Sequence, residues 1–160
     1  MTAADVDVVA AIRDERDGSG HAGHVVWARS AMARRARAPD DFEVVVARVA
    51  DTTVGYACVW RISPSETAPS STVPDGLYLG GVVVRPPFRR LGIGRALTAW
   101  RMPWIFARSD AAYYFANSIN RTSHDLHREF GFREIRRGIW APGVRFTGGE
   151  GVLFRADRPT

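Results

Sequence analysis

The sequence predicts an α/β (α+β) fold in which helices pack on a mixed sheet. Residues 42–62 hold two β-rich runs broken by a short turn, which is typical of a hairpin. Residues 77–84 form an apolar strand, and the apolar spacing over 92–108 predicts a helix after it. A second strand and helix follow at 111–116 and 120–130. This order of elements predicts a sheet covered by helices.

The composition limits the class of protein. A chain of 160 residues that is 46% hydrophobic suits one domain with a real core, so we expect a single domain over residues 1–160. The N-terminal residues lack the pattern of a signal peptide, and no segment approaches the ~20 apolar residues of a membrane span. We therefore expect a cytoplasmic protein without a membrane partner. The single cysteine, Cys58, leaves no disulfide framework.

The N-terminal third is ambiguous. The valines of residues 5–12 alternate as in a strand, but apolar residues in the same segment also lie three apart as in a helix. We favour the strand. Residues 21–38 predict a helix whose arginines form a solvated face. His21 and His24 have no nearby cysteine or carboxylate cluster, so we expect no metal site.

The middle of the chain contains a connector and a strand with two glycines. Residues 63–76 are rich in Ser, Pro and Thr and have no periodicity, which predicts a mobile connector. Gly80 and Gly81 predict a bulge, or a place where something approaches the backbone closely.

The last elements carry clear boundary signals. Asn120 is a candidate N-cap and Gly131 a candidate stop for the second helix, and Pro103 predicts a kink in the first. Two further strands, at 132–137 and 152–155, are joined by a long loop.

The positive charge is concentrated in one segment. The formal charge is +5, and because all 22 basic residues are arginine, a catalytic lysine is excluded. Between Gly76 and Ser109 there is no acid, and six arginines occur: Arg85, Arg89, Arg90, Arg95, Arg101 and Arg108. They are not interleaved with aromatics as in a nucleic-acid surface, so we expect no nucleic-acid partner.

The turn between the 77–84 strand and its helix predicts an anion site. The first amides of a helix lack intrahelical partners, and the helix dipole adds positive charge there. Gly92 and Gly94 carry no Cβ, so a pyrophosphate can approach the amides. The turn lacks the third glycine of the dinucleotide fingerprint and the G-K-[ST] of a P-loop.

Two motifs give the chain a family resemblance. The strand ends in Val84-Arg85-Pro86 and is followed by "RRLGIG" (residues 89–94), and "NRTSHDLHREFGF" (residues 120–132) follows downstream. In this order and at this separation they resemble the signature of the GNAT superfamily of acetyl-CoA-dependent N-acetyltransferases.

The resemblance implies a GNAT fold and a cofactor site. The fold would have a mostly antiparallel sheet of six to seven strands with helices on both faces. Acetyl-CoA would lie between two splayed strands, 77–84 and 111–117, with the Val82 amide polarising the thioester carbonyl. The residues implied to bind acetyl-CoA are Val82, Val83, Val84, Arg89, Arg90, Leu91, Gly92, Ile93, Gly94, Arg95, Ala96, Asn120, Ser123 and His127.

The chain departs from the family pattern at two catalytic positions. Where many members carry a tyrosine as general acid, this chain has His127, which could protonate the thiolate or could simply pack on the helix face. Where some members carry a glutamate base, this chain has Tyr78, so we expect deprotonation through water. Tyr78, Asp75 and Glu150 are the candidates to order that water.

Three functions are compatible with these patterns. The first is acetyl transfer to a primary amine, either of a small molecule such as an aminoglycoside, polyamine or amino-acid derivative, or of a protein N-terminus or lysine. The second is an acyl-CoA-binding module of GNAT fold without catalysis. The third, nucleic-acid binding, rests on charge alone. A homodimer is common in the family and is a further expectation.

Overall fold

A computed structural model describes residues 1–18, 20–63, 73–141 and 144–160. Its α-helices are α1 (Val6–Asp17), α2 (His21–Arg37), α3 (Ile93–Phe106) and α4 (Arg121–Arg128). Its strands are β1 (Phe42–Val49), β2 (Thr52–Ile62), β3 (Gly76–Val84), β4 (Ala111–Asn117), β5 (Arg133–Arg137) and β6 (Gly151–Asp157). The strands form one sheet in the order β1-β2-β3-β4-β6-β5. The predicted α+β class is confirmed, with six strands in the described part of the chain.

The sheet contains both strand directions. β3 pairs with β4 in parallel at Leu77↔Ala112 and Tyr78↔Tyr113. β4 pairs with β6 antiparallel over the whole of β4, and β5 pairs antiparallel with β6. The predicted mixed sheet is therefore confirmed.

The contacts divide the chain into two units. The boundaries between the units in the sequence fall within β2, β3 and α3. Unit 1 is residues 1–59 and 80–101. In it α1 packs on α2, and the buried side chains of the two helices include Val9, Ile12 and Ala28. These residues recur at helical spacing, so each helix presents one apolar stripe to the core.

Unit 2 comprises residues 60–79 and 102–160. Its core cluster is built around aromatic rings of neighbouring strands. Tyr78 on β3 stacks on Tyr113 of β4 at a centroid distance of 5.3 Å and contacts Phe115 at 5.7 Å. Offset aromatic pairs of this kind add to the free energy gained from burying their area.

The N-terminal prediction was wrong, because residues 6–17 form helix α1 and not a strand. Val9 and Ile12 are buried, as the helical spacing requires, whereas Val8 of the alternating pattern is half-buried. Thr2 and Asp5 form a capping box in which the Thr2 amide donates to the Asp5 carboxylate at 2.7 Å. This box caps a short 3-10 turn, Ala3–Asp5, which leads directly into α1, and packing against α2 adds to its support of the helix.

The other predicted helices and strands are present, with ends shifted by at most two residues. The hairpin of β1 and β2, the helix beginning at His21 and the two last strands are all present. The Asn120 side chain accepts from the Ser123 amide, which confirms it as N-cap of α4. Most of the expected connector, residues 64–72, lies outside the described residues. Among the helices described, none is long and apolar enough to cross a membrane.

We predict opposite effects on stability for two glycine substitutions. Gly131 has φ +80°, so Gly131→Ala should lower the free energy of unfolding by about 1 to 2 kcal/mol. Gly23 lies inside α2 with open space around it, so Gly23→Ala should raise that free energy by up to about 1 kcal/mol. Urea unfolding followed by circular dichroism measures both. Equal effects of the two changes would contradict the left-handed stop after α4.

Candidate active site

A left-handed turn joins β3 to α3 in unit 1. After Val84 the chain makes a short 3-10 turn over Pro86–Phe88, and Arg90 and Gly92 then adopt φ values of +63° and +78°. The Ala96 amide donates to the Gly92 carbonyl at 2.9 Å, which is the first hydrogen bond of α3. The turn therefore delivers the N-terminus of α3 directly after the end of β3.

The turn is open to solvent. Arg89, Arg90, Leu91 and Gly92 are all exposed, and a Cβ built on Gly92 meets no atom within 4 Å. The amides of the first turn of α3 have no intrahelical acceptors, and they carry the positive end of the helix dipole. The predicted residues Ile93, Gly94, Arg95 and Ala96 form that first turn. Backbone donors and open space thus occur together at this point.

The six arginines of the acid-free segment have different surroundings. Arg85 pairs with Glu15 at 3.1 Å, Arg101 is fully buried, and Arg108 lies over the Trp104 ring. Three of the six are exposed at the turn or in the first turn of α3: Arg89, Arg90 and Arg95. The Arg89 side chain donates to the Val84 carbonyl at 3.0 Å and so braces the end of β3.

Two arginines, Arg16 and Arg101, lie near the glycine pair of β3, and sequence reasoning gave neither of them a role there. The Arg101 guanidinium donates to the Gly80 carbonyl at 2.9 Å. The Arg16 guanidinium lies 3.3 Å from a Cβ built on Gly81. Arg101 could have been found from the sequence, because it falls among the apolar positions of the predicted helix. No sequence pattern pointed to Arg16. The next residues, Val82, Val83 and Val84, complete β3.

The second motif is in unit 2, on α4. Asn120 uses its side-chain oxygen as the helix cap, accepting from the Ser123 amide at 3.2 Å. His127, one turn after Ser123, is buried and stacks on Tyr114 at a centroid distance of 4.0 Å. The Tyr114 hydroxyl is buried without a hydrogen-bond partner among the described atoms, and burial raises its pKa. The three predicted residues of α4 thus lie in one local network.

The contacts of His127 select one tautomer. Its Nδ1 lies 2.8 Å from the Ser123 carbonyl oxygen. A carbonyl oxygen can only accept, so Nδ1 carries the hydrogen. In the neutral ring Nε2 then has the lone pair, and it becomes a donor only in the imidazolium form.

The candidates for ordering water have defined surroundings in unit 2. The Tyr78 hydroxyl donates to the Pro74 carbonyl at 2.7 Å, and burial raises the pKa of this phenol well above its usual range. Asp75 is exposed and pairs with Arg61 at 3.4 Å. Glu150 is exposed and pairs with Arg137 at 3.3 Å. The described residues contain no group of three or more His, Cys, Asp or Glu side chains placed to hold a metal ion.

Comparison with family models identifies the family of this chain. The model of the acetyltransferase (GNAT) family matches residues 9–132, and the chain belongs to this family. An uncharacterized protein of Mycobacterium leprae is 32% identical over 113 residues, which are 71% of this chain. The chain spans only 28% of the length of that relative.

Solved structures share the fold. A ribosomal-protein-alanine N-acetyltransferase from Brucella melitensis is 22% identical, with a TM-score of 0.73 over 99% of this chain and 97% of its own. An aminoglycoside 6'-N-acetyltransferase from Acinetobacter haemolyticus is 18% identical, with a TM-score of 0.67 over 91% and 96%. A candidate acetyltransferase from Salmonella typhimurium, solved with its cofactor acetyl-CoA, is 16% identical, with a TM-score of 0.69 over 98% and 90%.

We predict that the neutral ring of His127 carries its hydrogen on Nδ1. The short contact to the Ser123 carbonyl, which can only accept, favours this tautomer over the one protonated at Nε2. Long-range nitrogen–proton correlation spectra of the neutral ring measure it, with the exposed His21 as an internal reference. A His127 ring protonated at Nε2 would contradict the described contact.

Proposed function

We propose that this chain transfers the acetyl group of acetyl-CoA to a primary amine and that residues 1–160 act as one GNAT domain. The observation that carries the proposal is the exposed left-handed turn at Arg90 and Gly92, which leads into the first-turn amides of α3, for which the helix itself supplies no acceptors. Acetyl-CoA, when bound, supplies an acetyl group activated as a thioester, which a neutral amine attacks directly.

The turn has the chemistry to hold the diphosphate of coenzyme A. Amides from Arg90 to Arg95 can donate to phosphate oxygens, and the missing Cβ of Gly92 leaves the space that a phosphate needs. The exposed guanidinium groups of Arg89 and Arg90 add attraction for an anion. The donor set therefore fits this group.

The remaining cofactor contacts follow the family resemblance. The backbone of Val82 and Val84 would pair with pantetheine like an added strand, and the Val82 amide would polarise the thioester carbonyl. Because the oxygen of Asn120 caps α4, its amide nitrogen is the group that would donate to the pantetheine arm. His127 would protonate the departing thiolate in its imidazolium form.

Proton removal from the amine runs through water in this proposal. Tyr78 cannot act as the base near neutral pH, because its raised pKa keeps the phenol protonated and its hydrogen is donated to Pro74. Asp75 and Glu150 are exposed carboxylates and stay the candidates to order that water.

The acceptor is a small-molecule amine in our first proposal and a protein N-terminus or lysine in the second. The solved structures include one enzyme named for an aminoglycoside and one named for a ribosomal protein. We propose an amine as the partner, and the expected lack of a nucleic-acid or membrane partner, homodimerisation and a cytoplasmic location all stay predictions.

A second candidate function is acyl-CoA binding without catalysis. Histidine at position 127 and tyrosine at position 78 replace the acid and base that many family members use. Binding and turnover measured on the same protein distinguish the two functions.

We predict that acetyl-CoA binds at micromolar concentration and that Gly92→Ala weakens binding at least about 10-fold. The added Cβ enters the space beside the amides and costs at least one charge-assisted hydrogen bond. Isothermal titration calorimetry with acetyl-CoA measures the affinity. No heat of binding to the wild-type protein would reject the proposed cofactor.

The matched control is Gly20→Ala. Gly20 is also an exposed N-cap glycine with positive φ and open space, at the start of α2. It should cost similar stability and leave the affinity for acetyl-CoA unchanged. Equal losses of affinity in both variants would indicate a general effect of backbone strain.

We predict that Tyr78→Phe retains acetyl transfer within about 3-fold while losing about 1 kcal/mol of stability with its hydrogen bond. Thiol release from acetyl-CoA is measured on a panel of aminoglycosides, polyamines, amino-acid derivatives and N-terminal or lysine peptides. A pH profile that changes in Tyr78→Phe would restore Tyr78 as the base. Acetyl-CoA binding without turnover on any amine of the panel would favour the binding module.

A further inference from the structure

Arg101 is the most deeply buried charged side chain in the described part of the chain. It is 0% exposed and lies on α3 within unit 1. Its Nε donates to the Leu97 carbonyl at 3.2 Å, and its Nη2 donates to the Thr98 hydroxyl at 3.1 Å. None of the ion pairs found among the described residues includes Arg101, so neutral oxygen dipoles hold its charge.

The remaining nitrogen of Arg101 connects two neighbouring strands. Nη1 donates to the Cys58 carbonyl of β2 at 3.0 Å and to the Gly80 carbonyl of β3 at 2.9 Å. Both strands lie side by side in the sheet. One guanidinium nitrogen therefore fixes the direction of a carbonyl on each strand.

Core stability alone does not explain this arginine. Burial lowers the pKa of Arg101 to about 10, so the side chain is still charged at neutral pH. Desolvating a cation is costly, and an apolar residue of similar size at such a position often gives equal or greater stability. The neighbouring Cys58 thiol offers no counter-charge, because burial raises its pKa to about 12.

The position of the contact on β3 suggests what Arg101 does. Gly80 is buried, and Gly81, the next residue, is exposed. Two consecutive glycines give the backbone its greatest conformational freedom. Because a peptide unit is planar, holding the Gly80 carbonyl also fixes the amide of Gly81 and the start of the segment that carries Val82.

We propose that Arg101 is a positioning residue that holds the Gly80–Gly81 peptide and thereby orients the Val82 amide for the thioester carbonyl. This inference rests on the proposed function, because the Val82 amide has that task only when acetyl-CoA binds. A donor that stabilises developing negative charge must be held in place beforehand, and adjacent glycines cannot supply that restraint themselves.

The restraint is tested on the free protein. Amide hydrogen exchange of residues 80–82 should become about 10-fold faster in Arg101→Met, because the hydrogen bonds to the Gly80 carbonyl are lost. The matched control is Arg108→Met, which removes an exposed arginine that also donates to a backbone carbonyl, that of Trp104. Unchanged exchange at residues 80–82 in Arg101→Met would overturn the proposal.

The consequence is tested with bound acetyl-CoA by isotope-edited infrared spectroscopy of its thioester carbonyl. Wild-type protein should lower the carbonyl stretching frequency. Arg101→Met should bind with an affinity within about 3-fold of wild type yet return the frequency to that of free acetyl-CoA. Arg101→Lys keeps the charge without the planar fork and should restore part of the shift.

Other results of these experiments would overturn the proposal or separate it from the proposed function. A folded Arg101→Met that keeps the lowered frequency, or that loses acetyl-CoA binding altogether, overturns it. If Arg101→Met does not fold, Arg101→Lys carries both measurements, and failure of both variants to fold shows a purely structural role. If the wild-type protein does not bind acetyl-CoA, the proposed function fails, and hydrogen exchange alone then decides whether Arg101 holds the peptide.

Discussion

The structure of the candidate site depends on one backbone constraint, the left-handed turn between β3 and α3. Gly92 adopts its φ of +78° without strain, but Arg90 at +63° is a non-glycine residue in a conformation that costs about 1 kcal/mol. Strain of this kind persists where surrounding contacts determine the backbone. Here the Arg89 contact to Val84 and the first hydrogen bond of α3 hold the two sides of the turn.

The same turn explains why local sequence patterns predicted this region well. A strand, a proline pair and closely spaced glycines are local signals, and each acts on the residues that carry it. The hairpin of β1 and β2 and the cap at Asn120 are equally local, and the structure contains both. The turn and the start of α3, on which the proposed anion site depends, were predictable because both follow from local residues.

The N-terminal helix was not predictable by hydrophobic spacing alone. The valines of residues 6–9 fit two periods, and packing of Val9 and Ile12 in unit 1 decides between them. Two local signals were present: the capping box of Thr2 and Asp5, and Gly18, which ends α1 with φ +63°. The secondary structure of a short segment that fits two periods is better predicted from the capping signals at its ends than from the spacing of its apolar residues.

The surroundings of the charged residues were the hardest property to predict from the sequence, because a count of arginines does not show which of them face solvent. Of the six in the acid-free segment, Arg101 is buried against carbonyls and Arg85 is paired with Glu15. The attraction for an anion therefore falls to the exposed ones near the turn. Arg101 has the opposite environment, where low polarity strengthens each hydrogen bond to a carbonyl. In our proposals one residue type thus has two physical tasks on one strand–turn–helix unit, attraction of an anion through solvent and restraint of the backbone inside the core.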